Sequence, residues 1–127
     1  MAGADTLLNL PYKANEALVN NRFVKLAGDQ LVDQADTAGE RCIGVGLTDV
    51  STAEAAAGKA VAVMVEGVAY VEASAAISRG ALVMASANGR GATATTGLVV
   101  QGMALKAAGA AGDLIPVLLA AVGHLAP

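Results

Sequence analysis

Ile43-Gly44-Val45-Gly46-Leu47 carries an apolar side chain at every second position, and Gly102-Met103-Ala104-Leu105 repeats the phrase 58 residues further on. Alternation of period two is what a strand with one buried face requires. Working outward at the same spacing, Val24–Lys25–Leu26 aligns with Leu82–Val83–Met84, and Ala17–Leu18–Val19 with Ala75–Ala76–Ile77. Thr37 and Gly39 align with Thr95 and Gly97. After the phrase the first copy carries four extra residues, so that Gly58–Lys59–Ala60–Val61 meets Gly112–Asp113–Leu114–Ile115. Apolar and glycine positions match between the copies, whereas polar identities mostly do not. A framework duplicated without a shared reactive group is a scaffold rather than a catalytic site.

Each copy reads as short strands. Phe23–Ala27 and Gln30–Val32 flank Gly28–Asp29, a two-residue hairpin signal, and Ala81–Ala85 precedes Asn88–Gly89, a stronger one. Val61, Val63 and Val65 alternate, and Glu66–Gly67 leads into Val68–Ala73. Ser51 and Glu54 have capping-box spacing, with Gly58 placed as a stop, so one helical turn is expected there. Glycine every few residues argues against longer helices, at a cost of about 1 kcal/mol each. The expected fold is mainly β: a small barrel or sandwich of two pseudo-repeated halves, with at most one short helical turn. Residues 1–16 read as an extended N-terminal arm, interrupted for helix by Pro11, and residues 17–127 as one β domain with pseudo-repeats at about 17–65 and 75–119. Pro116 cannot donate to a ladder, which points to an edge strand or a bulge at Leu114–Leu119.

A chain of 127 residues fits one domain. Hydrophobic residues make up 55%, and small ones, Ala and Val together with 15 Gly, prevail over one Phe, two Tyr and no Trp, so the core must be thin and closely packed. Charged residues make up 15%, well below the roughly 25% of ordinary domains, and such a surface often completes its burial against other chains. The arm residues Leu7, Leu8, Leu10 and Tyr12, with Pro116 and Leu118 on the edge, are therefore the candidate assembly contacts. Net charge is −3 and the eight basic residues are scattered, which disfavours direct nucleic-acid binding. Met1–Lys13 shows no export signal, and the apolar run Leu114–Val122 is about half a membrane span.

The residues that could carry chemistry point away from it. His124, the only histidine, sits three residues from the end, a poor place for a base that needs fixed geometry. One Cys and one His make no metal site, so neither a metal nor a cofactor is expected. Cys42 has no base in its neighbourhood and reads as a small buried hydrophobe. Residues Gly89–Ala94 match a glycine-rich phosphate-loop pattern, but they follow a hairpin signal instead of joining a strand to a helix. No catalytic residue is assigned.

From about Arg22 to Ala120 the chain resembles the small capsid decoration, or cement, proteins of tailed bacteriophages. The resemblance rests on Phe23–Leu26, Ile43–Leu47, Val61–Val65 and Glu66–Val68 in one copy, and on Ile77–Val83, Asn88–Gly89, Gly102–Leu105 and Asp113–Val117 in the other. It implies a β-rich structural protein of the virion, made in the host cytoplasm and placed on the outer surface of an icosahedral head, commonly as a homotrimer. Its implied partner is the major capsid protein, with no membrane or nucleic acid involved. The alternative is a biotinyl- or lipoyl-type carrier domain, also a flattened barrel of two halves. That reading needs a lysine at a hairpin tip, for which Lys59 and Lys106, bordering Ala/Gly loops, are the candidates.

Overall fold

The computed structural model describes residues 6–119 and Ala126, with side chains from residue 8 onward. Nine strands and one helical turn follow in order: β1 Thr6–Ala14, β2 Arg22–Gly28, β3 Leu31–Gln34, β4 Gly44–Gly46, α1 Thr52–Ala56, β5 Ala60–Glu72, β6 Leu82–Ala85, β7 Gly91–Thr93, β8 Gly102–Ala104 and β9 Leu114–Leu119. The sheet order is β1-β3-β2-β4-β5-β9-β8-β6-β7, and an added β1–β5 pairing closes the first five strands into a barrel. The mainly β, two-halved fold read from the sequence is the one found. So is the single helical turn. The Ser51 hydroxyl accepts from Glu54 N–H at 3.1 Å, the Glu54 carboxylate accepts from Ser51 N–H at 2.9 Å, and Gly58 follows the last turn at φ 77°.

The duplication holds at the level of register. In the first half β2 pairs with β3 and β4, and β4 with β5; in the second β6 pairs with β7 and β8, and β8 with β9. The bridge Leu18–Val50 recurs as Ile77–Ala108. The parallel pair Ala14–Val32 that closes barrel 1 recurs as the bridge Ala73–Gly91, which nearly closes barrel 2. β1 is likewise repeated, by the second half of β5: Lys13 faces Ala60 as Glu72 faces Leu114. The long strand β5 therefore ends one barrel and begins the other, with Gly67 at φ 110° between its halves. The segment read as an arm contributes a strand to the sheet from Thr6 onward.

Two details differ from the sequence reading. The first hairpin turns on Asp29–Gln30, one residue later than the Gly28–Asp29 signal. Gln30 (φ 63°) occupies the left-handed position that Gly89 (φ 79°) holds in the second copy, and Asn21 (φ 61°) matches Gly80 (φ 84°) in the same way. The true spacing before β4 is therefore one residue longer than an alignment of glycine with glycine suggests. Pro116 is the second. β9 is not an edge strand, because it lies between β5 and β8. The Pro116 carbonyl accepts from Leu105 N–H at 2.9 Å, so the proline nitrogen turns to that same side, where β8 has already ended at Ala104. No ladder donor is needed there, and that is how proline survives inside a sheet.

Barrel 1 is filled by Leu18, Val24, Val32, Val50, Val61 and Val63. Their counterparts in barrel 2 are Ile77, Val83, Gly91, Ala108, Ile115 and Val117, a lighter set. Gly91 has no room for more: a Cβ would lie 3.1 Å from Val71 and 3.2 Å from Val83. On the outside of barrel 1, Phe23, Val45 and Met64 stand in one cross-strand row and are 0, 0 and 2% exposed. Barrel 2 covers them, and Ala85 and Val71 share their cluster.

Candidate assembly surface

The seam between the barrels is held by backbone as well as by packing. Phe23 N–H donates to the Gly89 carbonyl at 2.7 Å, Glu72 N–H to Asn21 at 3.0 Å, and Gly39 N–H to Ala85 at 2.7 Å. The Asn21 amide donates to the Tyr70 carbonyl at 3.0 Å. Glu72 binds Arg22 at 3.3 Å on one side and Arg90 at 2.9 Å on the other, a half-buried ion pair of three partners. Gln101, the buried polar side chain of the core, faces the Cys42 peptide. With the amide assigned the orientation that satisfies both groups, its NH2 donates to the Cys42 carbonyl and its oxygen accepts from Cys42 N–H, both at 3.2 Å. A side-chain amide thus imitates a pair of ladder bonds across the two halves.

The sequence-selected contact residues separate into two groups. Leu10 and Tyr12 stand opposite Val63 and Val61, so they belong to the inward face of barrel 1 and are half-buried. Leu8 and Leu118 face solvent at 42 and 44% exposure. Pro116 is half-buried opposite Tyr70. Leu7 lies in β1, with its side chain outside the described residues. Sequence reading overlooked Leu26 and Leu114, exposed at 56 and 55%. Leu114 is at an outward position of β9, which alternation from Ile115 supplies, whereas Leu26 shares the face of the buried Val24, opposite Val32, and is exposed because it lies in the open last part of β2.

The remaining candidates are placed as follows. Cys42 is fully buried, and burial, with the Glu40 carboxylate second, pushes its thiol up to about 12. It stands where the second copy has Val100, also buried, so it packs as a hydrophobe. Residues Gly89–Ala94 span the β6–β7 turn and β7, with Arg90 committed to Glu72. Lys59 follows α1, bound to Glu54 at 2.8 Å and donating to the Asp49 carbonyl at 3.3 Å; Lys106 lies in the loop after β8. The tips of the β2–β3 and β6–β7 hairpins are Asp29–Gln30 and Asn88–Gly89, so neither lysine is at a tip of the kind a carrier domain uses. His124 falls outside the described residues.

Charge on the surface is gathered in small local clusters. Lys25 binds Asp36 at 2.7 Å and Glu40 at 3.2 Å; the Asp36 bond, then Glu40, raises the ammonium above its ordinary range, and Lys25 holds Asp36 below its own. Lys59, with the Ser51 N–H second, lowers Glu54 to about 2. Among the described residues no three His, Cys, Asp or Glu groups are placed to hold a metal ion.

Several large apolar side chains, Leu8, Leu26, Leu105, Leu114 and Leu118 among them, are exposed on this duplicated barrel and are the candidates for contact with other molecules. The sequence matches the phage cement protein family over residues 2–119, and the chain belongs to that family. No curated protein matches it. Among solved structures, the head fiber gp8.5 N base of bacteriophage phi29 has a similar fold, with a TM-score of 0.71 at 18% identity over 89% of this chain and 93% of that one. The chain is thus a structural, capsid-associated phage protein by family.

Proposed function

We propose that this protein sits on the outer surface of an icosahedral phage head as a homotrimer and stabilises the lattice of the major capsid protein. Family membership over nearly the whole chain is the observation that carries this reading. The physical role follows from linkage. A protein that binds the assembled lattice and not free subunits stabilises the lattice by RT ln(1 + [L]/Kd), about 2.7 kcal/mol per site at a hundredfold excess over Kd. Contacts carried on one rigid oligomer reinforce one another through effective concentration, so individually weak patches suffice. Leu8 and Leu118 are the sequence-selected residues left free for such contacts. A closely packed core of small side chains suits a thin, rigid cover.

The test is addition of purified protein to heads that lack it. Cosedimentation that saturates, together with a higher temperature of DNA release, is the expected result. Protein that stays in the supernatant, or that binds without moving the release temperature, contradicts the proposal.

A further inference from the structure

The pseudo-repeat predicts one more contact than the chain makes by itself. In barrel 1 the outer row Phe23–Val45–Met64 runs across β2, β4 and β5, and barrel 2 buries it completely. By register the same row in barrel 2 is Leu82–Met103–Leu118, extended to Val68 on β5. All four residues are apolar, yet Leu118 is 44% exposed and the others are only half-buried. The neighbouring position behaves alike: Leu47 packs against the core cluster, whereas its counterpart Leu105 is 39% exposed. A surface that is dry in one copy of the repeat is open in the other.

The covering side shows the reverse asymmetry. In barrel 2, Ala85 and Gly89 supply the carbonyls that receive Gly39 and Phe23. Their counterparts in barrel 1 are Leu26, 56% exposed, and Gln30. Two open hollows lie at these places, one of about 470 Å³ lined by Pro11, Tyr12, Lys13, Asp29, Gln30 and Leu31, the other of about 390 Å³ lined by Lys25, Leu26, Glu40, Arg41 and Ile43. Four residues of the first, Pro11, Lys13, Asp29 and Gln30, correspond to Tyr70, Glu72, Asn88 and Gly89, the part of barrel 2 that holds Asn21–Phe23.

We infer that barrel 1 of a second copy of this chain covers the Leu82–Met103–Leu118 row, in a head-to-tail contact that repeats the internal seam. The occupant is a second copy because the chain already makes this contact once with its own other half. Two differences shape it. Lys13 N–H bonds the Gln30 carbonyl at 2.8 Å within barrel 1, closing the gap that Asn21 and Phe23 hold open in barrel 2, so the contact between copies is shallower and made by side chains. At the Gly97 end of the row, Ala126 of the same chain takes the place that Ala85 takes on Gly39, with Gly97 N–H donating to it at 3.1 Å. The contact therefore centres on Leu82, Met103 and Leu118. Such an interface uses different patches on the two partners, and it closes only as a ring.

This inference supplies surfaces for the trimer proposed above but is tested without heads. Leu118→Glu disables the row and Leu26→Glu the receiving face; both residues are exposed, and circular dichroism checks that each variant is folded. By sedimentation the unaltered protein is expected as a closed oligomer, each variant alone as a monomer, and their equimolar mixture as a dimer, since one intact interface remains. A monomeric unaltered protein, a Leu26→Glu chain that still assembles, or a mixture that stays monomeric overturns the head-to-tail contact. If Leu118→Glu instead lowers binding to heads while the oligomer is unchanged, the row belongs to the capsid; the inference then fails and the proposed function stands.

Discussion

Replacing Phe23 and Leu82 by alanine compares one position of the repeat in its two settings. Phe23 is fully buried between the barrels, and Leu82 stands at the matching site, half-buried on the open row. Removing a buried Phe side chain costs about 3–5 kcal/mol, because the lost transfer energy is joined by a cavity that the small neighbours cannot fill. Ala85 and Ala104 share the Phe23 cluster, and short side chains have nothing to swing into the space. Leu82→Ala forfeits only the buried part of a smaller group, about 1 kcal/mol. With a urea m-value of about 1.5 kcal/mol/M for a domain of this size, Phe23→Ala lowers the midpoint by roughly 2–3 M and Leu82→Ala by under about 1 M. Fluorescence lacks a Trp probe, so the unfolding curves are best followed by far-UV circular dichroism, with both substitutions made in the Leu26→Glu chain, where no second copy covers the row. Equal losses at the two positions would refute the claim that barrel 2 seals one row and leaves its own open.

Gly44→Ala and Gly102→Ala should each destabilise by about 1–3 kcal/mol or prevent folding, since a Cβ would strike the Met64 carbonyl in one and the Leu118 carbonyl in the other; thermal unfolding measures this. Gln101→Leu should cost about 1–3 kcal/mol in the same assay, because it strands the Cys42 N–H and carbonyl in the seam. The Glu54 carboxyl should titrate near 2 instead of the ordinary 4.5, seen as its carbon-13 shift against pH. A depressed folded pKa means that its contribution to α1 is complete above pH 4.5 and is lost as pH falls through about 2. In Lys59→Ala the titration should move back up, as Lys59 is the main cause.

The duplication was legible in the sequence where it rests on backbone demands. Gly44 and Gly102 align because β4 and β8 both pass too close to a neighbouring strand for a side chain, and Gly58 and Gly112 align because both hold φ near 80–90°. Ser51 and Glu54 announced the helix through a bond pattern that needs those two residue types. Legibility ended where different residues meet one demand. Asn21 and Gln30 take the conformation that Gly80 and Gly89 take, and nothing in their chemistry aligns them with glycine. The relation of Leu10–Pro11–Tyr12–Lys13 to Ala69–Tyr70–Val71–Glu72 was hidden for another reason: β1 needs large side chains at the mouth of barrel 1, whereas the second half of β5 needs small ones at the seam. Pro116 misled because its position between strands is visible only once β8 is known to end at Ala104. The candidate surface was half legible. Leu118 came from reading its strand as an edge, which the sheet order overturns, and the contrast that gives it meaning, a buried row against an open one, exists only in three dimensions.

An electron cryo-microscopy reconstruction of the phage at side-chain detail would decide the account most directly. Paired barrels on the outer face of the head, each bridging two or more major capsid protein subunits, are expected. Density for this chain in the neck or tail, or a head surface bare of it, would contradict the account.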